Sequence, residues 1–263
     1  MRKQNITGTR EWACKTFNIC LGCPHGCLYC WACSNAVRFG RISPEGWRKQ
    51  RILCDNLPRA GKGKPTKIMF PSTHDINLEN LGFCLGALDK MLNRGHFVLV
   101  VSKPNVDCIH AICKRYTKFK EKMLFRFTIG SLDNNILKFW EPNAPSVEER
   151  LLSLELAHNM GYKTSISCEP MLDCDVGKVI SATLPFVSDS IWIGQMNQAK
   201  QRLKLNGAGQ EALQKADELL KAQNLDFIKD LYDQYKDNSK IKWKDSIKKM
   251  LDLDRPTKPG MDV

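Results

Sequence analysis

Five of the chain's twelve cysteines, Cys20, Cys23, Cys27, Cys30 and Cys33, fall within fourteen residues. In a reducing compartment such crowding serves metal ligation or redox chemistry rather than disulfides. The segment Cys23-Pro-His-Gly-Cys27-Leu-Tyr-Cys30 has the spacing C-x3-C-x2-C. A loop this tight can aim three sulfurs at three corners of a cubane iron–sulfur cluster, leaving the fourth iron open to an outside ligand. Gly22 and Gly26 supply the backbone freedom that such wrapping requires. The competing use of these residues is a structural zinc, with Cys20-x2-Cys23 and Cys27-x2-Cys30 offering four thiolates. The ferredoxin run C-x2-C-x2-C-x3-C-P is not present.

The surroundings of the loop decide between these uses. Short apolar runs alternate with longer amphipathic ones, predicting strands at Lys15–Cys20, Lys67–Phe70, Phe97–Ser102, Leu124–Ile129, Lys163–Cys168 and Ser190–Gly194. Helices are predicted at Leu78–Asn93, Asn105–Tyr116, Ser146–Met160 and Val176–Leu184. Ser146 and Glu149 form a capping box, and Gly161 a C-cap. Six β/α units imply an α/β fold with a parallel sheet, open or curved into a (β/α)6 partial TIM barrel. Ligands in such folds bind at the C-terminal ends of the strands, and the cysteine loop directly follows the first strand. Zinc knuckles stand in small domains, so this setting favours the cluster.

The 263 residues divide into a partial-barrel core, residues 1–198, and a C-terminal helical extension, residues 199–263. Gln198–Gln210 reads as a polar connector, followed by helices at Glu211–Gln223, Asp226–Tyr235 and Trp243–Leu251. The tail Asp254–Val263 reads as loosely held. A hydrophobic fraction of 43% excludes a disordered chain. No apolar run reaches membrane-span length, and the N-terminus lacks the apolar stretch of a signal peptide. A cytoplasmic protein without membrane attachment is expected.

The triplet resembles that of the radical S-adenosylmethionine (radical SAM) enzymes, which carry three cysteines in this spacing with an aromatic residue before the third. The stretches GCPHGCLYCWA, FPSTHD, VSKP, FTIGSLD with EPNAPSVEERL, and SCEPMLD are similar to the spore-photoproduct-lyase-like branch, over residues 15–197. The resemblance implies a [4Fe-4S] cluster on Cys23, Cys27 and Cys30, with S-adenosylmethionine (SAM) chelating the fourth iron. One electron would then cleave SAM to methionine and a 5′-deoxyadenosyl radical that abstracts hydrogen from substrate. Tyr29 matches the aromatic that packs near adenine. The family's Gly-Gly-Glu type segment after the second strand is replaced by Ser72-Thr73-His74-Asp75, so the methionine amino contact falls to Ser72, Thr73 or Asp75.

The other strand ends complete the candidate cofactor site. Ser102 and Lys103 follow the third strand, and Lys103 suits the SAM carboxylate or a solvated strand end. Ser131 follows the fourth, as a ribose contact or as a cap for a helix begun at Leu132. Glu169 follows the fifth, where an unpaired buried carboxylate is costly and so points to function. Gln195 and Asn197 follow the sixth and suit hydrogen bonding to adenine or substrate. His74 beside Asp75 is a proton-transfer pair or a structural histidine, and Arg126 and Arg150 balance neighbouring carboxylates. Cys168 and Cys54 compete as thiol hydrogen-atom donors, the role a cysteine plays in the lyase branch. For Cys168 the alternative is burial as a small hydrophobe.

Charge bears on partners. Residues 1–67 hold thirteen basic and three acidic residues, most of the chain's net +12. Arg48, Lys49, Arg51, Arg59, Lys62, Lys64 and Lys67, with Trp47 for stacking, point to nucleic acid. They suit equally an anionic metabolite or an acidic electron donor such as flavodoxin or ferredoxin. Three functions follow: a radical SAM lyase or modifying enzyme acting on nucleic acid, the same chemistry on a peptide or small metabolite, or a non-catalytic zinc-stabilised nucleic-acid-binding protein.

Overall fold

The computed structural model describes residues 6–261. Arg2 and Lys3 of the basic quarter and Asp262 and Val263 of the tail therefore lie outside the described residues. Seven parallel strands form one sheet in chain order: Lys15–Thr16, Lys67–Phe70, Phe97–Ser102, Met123–Thr128, Lys163–Cys168, Ile191–Ile193 and Ile241–Trp243. The helices Leu81–Asn93, Val106–Arg115, Val147–Asn159 and Val176–Thr183 connect successive strands. The first and last strands do not pair with each other among the described residues, so the sheet is an open, partial TIM barrel. Ser146 caps its helix by accepting from Glu149 N at 3.3 Å. The reciprocal half of the box is not made: Glu149 Oε1 instead accepts from Asn105 Nδ2 and Val106 N, tying two helices together.

Side chains alternate across the strands. Ile68, Phe70, Val98, Val100, Phe125, Phe127, Ile166 and Ile193 meet Leu88, Met91, Ile109, Ile112 and Leu154 of the helices in the outer core. Each such side chain contributes roughly 1.5–3 kcal/mol by leaving water. Cys168 lies two residues from Ile166 on the same face and is fully buried in that core. The reading of Cys168 as a hydrogen-atom donor is thus corrected to burial as a small hydrophobe: strand parity turns the thiol outward, under the helices. On the inner face, Met69, Leu99, Leu124 and Trp192 pack on Trp12 of the turn Thr9–Trp12, which closes the barrel floor. Arg126 is held there by Ser165 Oγ (2.9 Å), Ser190 Oγ and Asp189, with its guanidinium over Trp12 and Trp192.

Two segments differ from the sequence reading. The first strand ends at Thr16 rather than Cys20, because Asn18 replaces the ladder with its side chain. Asn18 Oδ1 accepts from Ser72 N (2.8 Å) and Thr73 N (2.9 Å), and Cys20–Leu21 pairs antiparallel with Arg51–Ile52. The extension is not wholly helical either. Ile241–Trp243 adds the seventh strand beside Ile191–Ile193, and the helix that the sequence predicts from Trp243 begins only at Asp245. Within the expected connector, Ala199–Leu205 is a helix, followed by Gln210–Ala222 and Leu225–Tyr235. The tail is tied to the N-terminal turn, with Ile6 N donating to Pro256 O and Gly260 N to Arg10 O. Among the described residues no helix is long and apolar enough to cross a membrane.

Candidate functional site

The cysteine loop leaves Leu21 through Gly22, whose φ of +91° suits glycine alone; a Cβ there would lie 2.5 Å from the Trp47 carbonyl oxygen. Cys23 N donates to that same carbonyl at 2.8 Å. Gly26 turns the loop again at φ +63°, and Leu28 N donates to Trp140 O. Cys30 then caps the helix Trp31–Arg38, its Sγ accepting from Cys33 N at 3.4 Å. Cys23, Cys27 and Cys30 are free, half-buried thiols. Burial pushes Cys27 up to about 12 and raises the other two, so a metal entering this loop displaces protons.

Cys20 is not part of this set. It sits in the outer core, where Asn80 Nδ2 donates to its sulfur, so the four-thiolate pairing needed for zinc is not assembled. Among the described residues no three His, Cys, Asp or Glu side chains are gathered as ligands of one ion. A cubane needs no such shared point, because each thiolate binds its own iron. Three free thiols on one loop, an N–H donor to Cys30 and cationic Lys103 nearby make a donor set that fits an anionic cluster.

Two buried carboxylates brace the loop. Asp75 accepts from Ser102 Oγ–H, from Lys103 N at 2.8 Å and from Ile76 N at 2.8 Å, and lies 3.4 Å from His25 Nδ1. Burial works to raise its pKa, but His25, Lys103 and Ser102 outweigh burial and hold it below the ordinary range. Asp75 thereby joins the second and third strand ends to the cysteine loop. Glu141 accepts from Tyr29 Oη and from Arg150 Nη2 at 2.5 Å, and Lys103 Nζ lies 3.8 Å away. Burial again opposes ionisation, and Lys103, Arg150 and Tyr29 overcome it. Lys103 stands 5.7 Å over the Tyr29 ring; burial works against its charge, but the Glu141 and Asp75 carboxylates keep it cationic. The structure therefore brings Cys23, Cys27, Cys30, Tyr29, Asp75, Ser102 and Lys103 together.

The remaining candidates divide. Ser72 and Thr73 lie beside this group, fixed through their backbone by Asn18. Glu169 has a partly exposed carboxylate 3.5 Å from Lys244 Nζ, and Lys244 in turn holds buried Glu11 at 2.7 Å. Asn197 is half-buried on the rim. Ser131 is a turn residue, its Oγ accepting from Asp133 N, while Asp133 caps the helix Asn134–Trp140. The Gln195 side chain is turned into the extension, donating to Gln223 O at 2.6 Å. Cys54 is exposed at the start of the turn Cys54–Arg59. Sequence reading missed Glu141 as the hub, although EPNAPSVEERL carries both it and Arg150; His25 and Asn206 gave no signal of their own.

His74 is structural. Its Nε2 accepts from Ile19 N (3.1 Å) while Nδ1 faces the Asp75 carbonyl (3.0 Å), which fixes a neutral ring with the proton on Nδ1. Burial lowers its pKa, outweighing the pull of Asp75. A depressed histidine favours folding above the unfolded pKa of ~6.5, and that stability declines as pH falls below it, levelling off beneath the folded value. Urea unfolding between pH 7.5 and 5 should show this slope, and a His74→Gln chain should lose it. An unchanged slope would assign the titration to another group.

Solved structures share this architecture. Spore photoproduct lyase complexed with dinucleoside spore photoproduct matches at a TM-score of 0.53 and 16% identity, over 78% of this chain and 64% of that one. SuiB of Streptococcus suis bound to S-adenosylmethionine matches at 0.53 and 8% identity, over 92% of this chain and 53% of that one. The fold is that of spore photoproduct lyase and SuiB. At such identities the likeness speaks to the fold alone. A curated protein, the uncharacterized protein ORF301 of Acidianus two-tailed virus, is 25% identical over 172 residues, 61% of this chain and 56% of its own length. The chain thus spans less than two thirds of each protein it matches. No family model matches it. In this fold the cysteine loop follows the first strand of the large sheet by way of the short strand Cys20–Leu21.

Proposed function

We propose that this chain is a radical SAM enzyme, holding a [4Fe-4S] cluster on Cys23, Cys27 and Cys30. The observation that carries this reading is the loop of three free thiols beside buried Lys103, Asp75 and Glu141 on a barrel of this fold. Cys23, Cys27 and Cys30 would hold the cluster, whose chemistry, with an electron donor such as flavodoxin or ferredoxin, would be the one-electron reductive cleavage of SAM to methionine and a hydrogen-abstracting 5′-deoxyadenosyl radical. This chain's own part is to orient and to exclude water. Tyr29 and Lys103 wall the loop, and Ser72, Thr73, Glu169 and Asn197 offer polar groups at the strand ends. Anaerobic preparation should give about four irons and matching sulfide per chain, and dithionite with SAM should release 5′-deoxyadenosine. A colourless protein with one zinc and no cleavage would overturn the reading in favour of a zinc-binding protein.

The substrate in this reading is nucleic acid, and two observations support it. Arg38, Arg41, Arg48, Lys49, Arg51, Arg59, Lys62 and Lys64 are exposed, and none makes an ion pair among the described residues. The matched lyase is complexed with dinucleoside spore photoproduct. Trp47, expected to stack on bases, is instead buried against Ala32, Cys33 and Ala36. Exposed Phe39, with Arg38 at 5.8 Å and Arg41 at 5.5 Å from its ring, is the aromatic available for stacking. Reversing Arg48, Lys49 and Arg51 to glutamate should weaken single-stranded DNA binding at least tenfold. It should also reduce the salt slope by about 2, at ~0.7 per phosphate contact. Binding that ignores both changes would leave a peptide or small metabolite as substrate.

A further inference from the structure

The helix Ala199–Leu205 and the turn that ends it lie beyond residues 15–197, yet they meet the cysteine loop directly. Asn206 is buried, and its Nδ2 donates to two carbonyls of that loop, Leu28 O at 2.8 Å and Cys30 O at 2.9 Å. These carbonyls bracket Tyr29, so one amide fixes the peptide units on both sides of the last two loop residues. Asn206 is itself fixed. Gly207 takes φ +73°, Gly207 N donates to Lys204 O and Ala208 N to Leu203 O, closing the helix with a tight cap. Leu203 is fully buried among Tyr29, Leu137, Trp140 and Leu172, which anchors the helix on the same apolar cluster.

One turn earlier on this helix, Arg202 approaches the loop. Its Nε is buried with no hydrogen-bond partner, and the residue lines a small cavity with Trp31, Ser34 and Asn35 of the helix that Cys30 caps. A buried cationic N–H left without an acceptor is costly unless something anionic sits near it. The Cys30 side of the loop is where a thiolate-bound cluster would supply that charge.

We infer that the segment 199–207 is a clamp on the cysteine loop: Asn206 is a positioning residue that holds Cys30, and Arg202 offsets the negative charge bound there. The inference rests on the cluster reading above. Retention of the cluster then depends on a helix outside the barrel's β/α units. Loss of the two amide donations frees the Leu28 and Cys30 peptides, and with them the aim of the third thiol. Loss of the Arg202 charge disfavours the electron-rich, reduced state.

The test uses the full chain, reconstituted anaerobically. Wild type should take up about four irons; if it takes up none, the cluster reading fails and the clamp with it. Given loaded wild type, Asn206→Asp keeps the side-chain volume but turns only acceptors toward the two carbonyls. This variant should lose iron to an external chelator at least tenfold faster, while its apo form melts as wild type does by circular dichroism. Asn206→Ser, smaller and able to donate only one bond, should fall between the two and serves if the aspartate variant does not fold. Arg202→Gln should cut the reduced fraction at a fixed poise about tenfold, a shift of about 59 mV toward negative potential for a one-electron couple. Arg202→Lys should restore it. Iron loss at the wild-type rate in the asparagine variants, with loading intact, would overturn the clamp and leave the cluster reading standing.

Discussion

A Cys27→Ala chain should fold normally and bind almost no iron. Cys27 is one of three thiols on the loop, and its neighbours Lys103, Glu141 and Arg150 remain paired with one another when the sulfur is removed. Replacing a residue that only hydrogen-bonds a metal ligand already costs ~10–100-fold in metal affinity, and loss of a ligand costs more. Iron and sulfide should therefore fall to background and 5′-deoxyadenosine release should drop below detection. The melting temperature of the apo protein should shift by only a few degrees, since removing one small buried group costs roughly 1 kcal/mol. Cys33→Ala is the matched control. Cys33 is also a cysteine of the cluster in sequence, but it packs with Ala32, Ala36 and Trp47 beneath the helix, so its loss should leave iron content unchanged. A Cys27→Ala protein that retains four irons, or a Cys33→Ala protein that loses them, would show that the loop has been assigned the wrong thiols.

The contrast between these two cysteines marks what the sequence makes legible. The spacing of Cys23, Cys27 and Cys30 is local information, and Gly22 and Gly26 sit where the backbone takes positive φ. The β/α alternation is local too, because strands buried on both faces announce themselves as short apolar runs. The errors arise where the answer depends on direction or on distant partners. Cys168 ends a strand whose inner face is Ser165 and Ser167 and whose outer face is Ile166, so a count by twos would have turned it away from the bowl. Glu141 reads as an ordinary helix end until Tyr29, 112 residues earlier, reaches it. Asn206 meets Cys30 across 176 residues, and no local pattern signals that contact. The seventh strand has three residues, too few for a period, and its place comes from pairing with Ile191–Ile193.

The Glu141–Arg150 pair should prove the most sensitive point of the fold. Arg150 is fully buried and uses its donors on Pro145 O (2.9 Å), Thr128 O (3.1 Å) and Glu141. Arg150→Met keeps much of the volume but leaves two carbonyls without a donor and the Glu141 carboxylate with only Lys103 and Tyr29. Breaking a buried pair from one side costs about 3–5 kcal/mol, whereas replacing both partners with apolar groups costs far less. Urea unfolding at pH 7 should therefore show Arg150→Met destabilised by about 3 kcal/mol or more, and the double variant Glu141→Leu, Arg150→Met should recover part of that loss. The pH dependence gives a second signature. In wild type the Glu141 carboxyl is held below its ordinary value, so its contribution persists above the unfolded pKa and is lost only as pH falls through the lower folded one. Without Arg150, burial is less opposed and the carboxyl rises, so protonation relieves the buried charge. The gap between variant and wild type should narrow as pH drops from 7 toward 5. A gap that stays constant would mean that the cost lies in the two stranded carbonyls rather than in the charge.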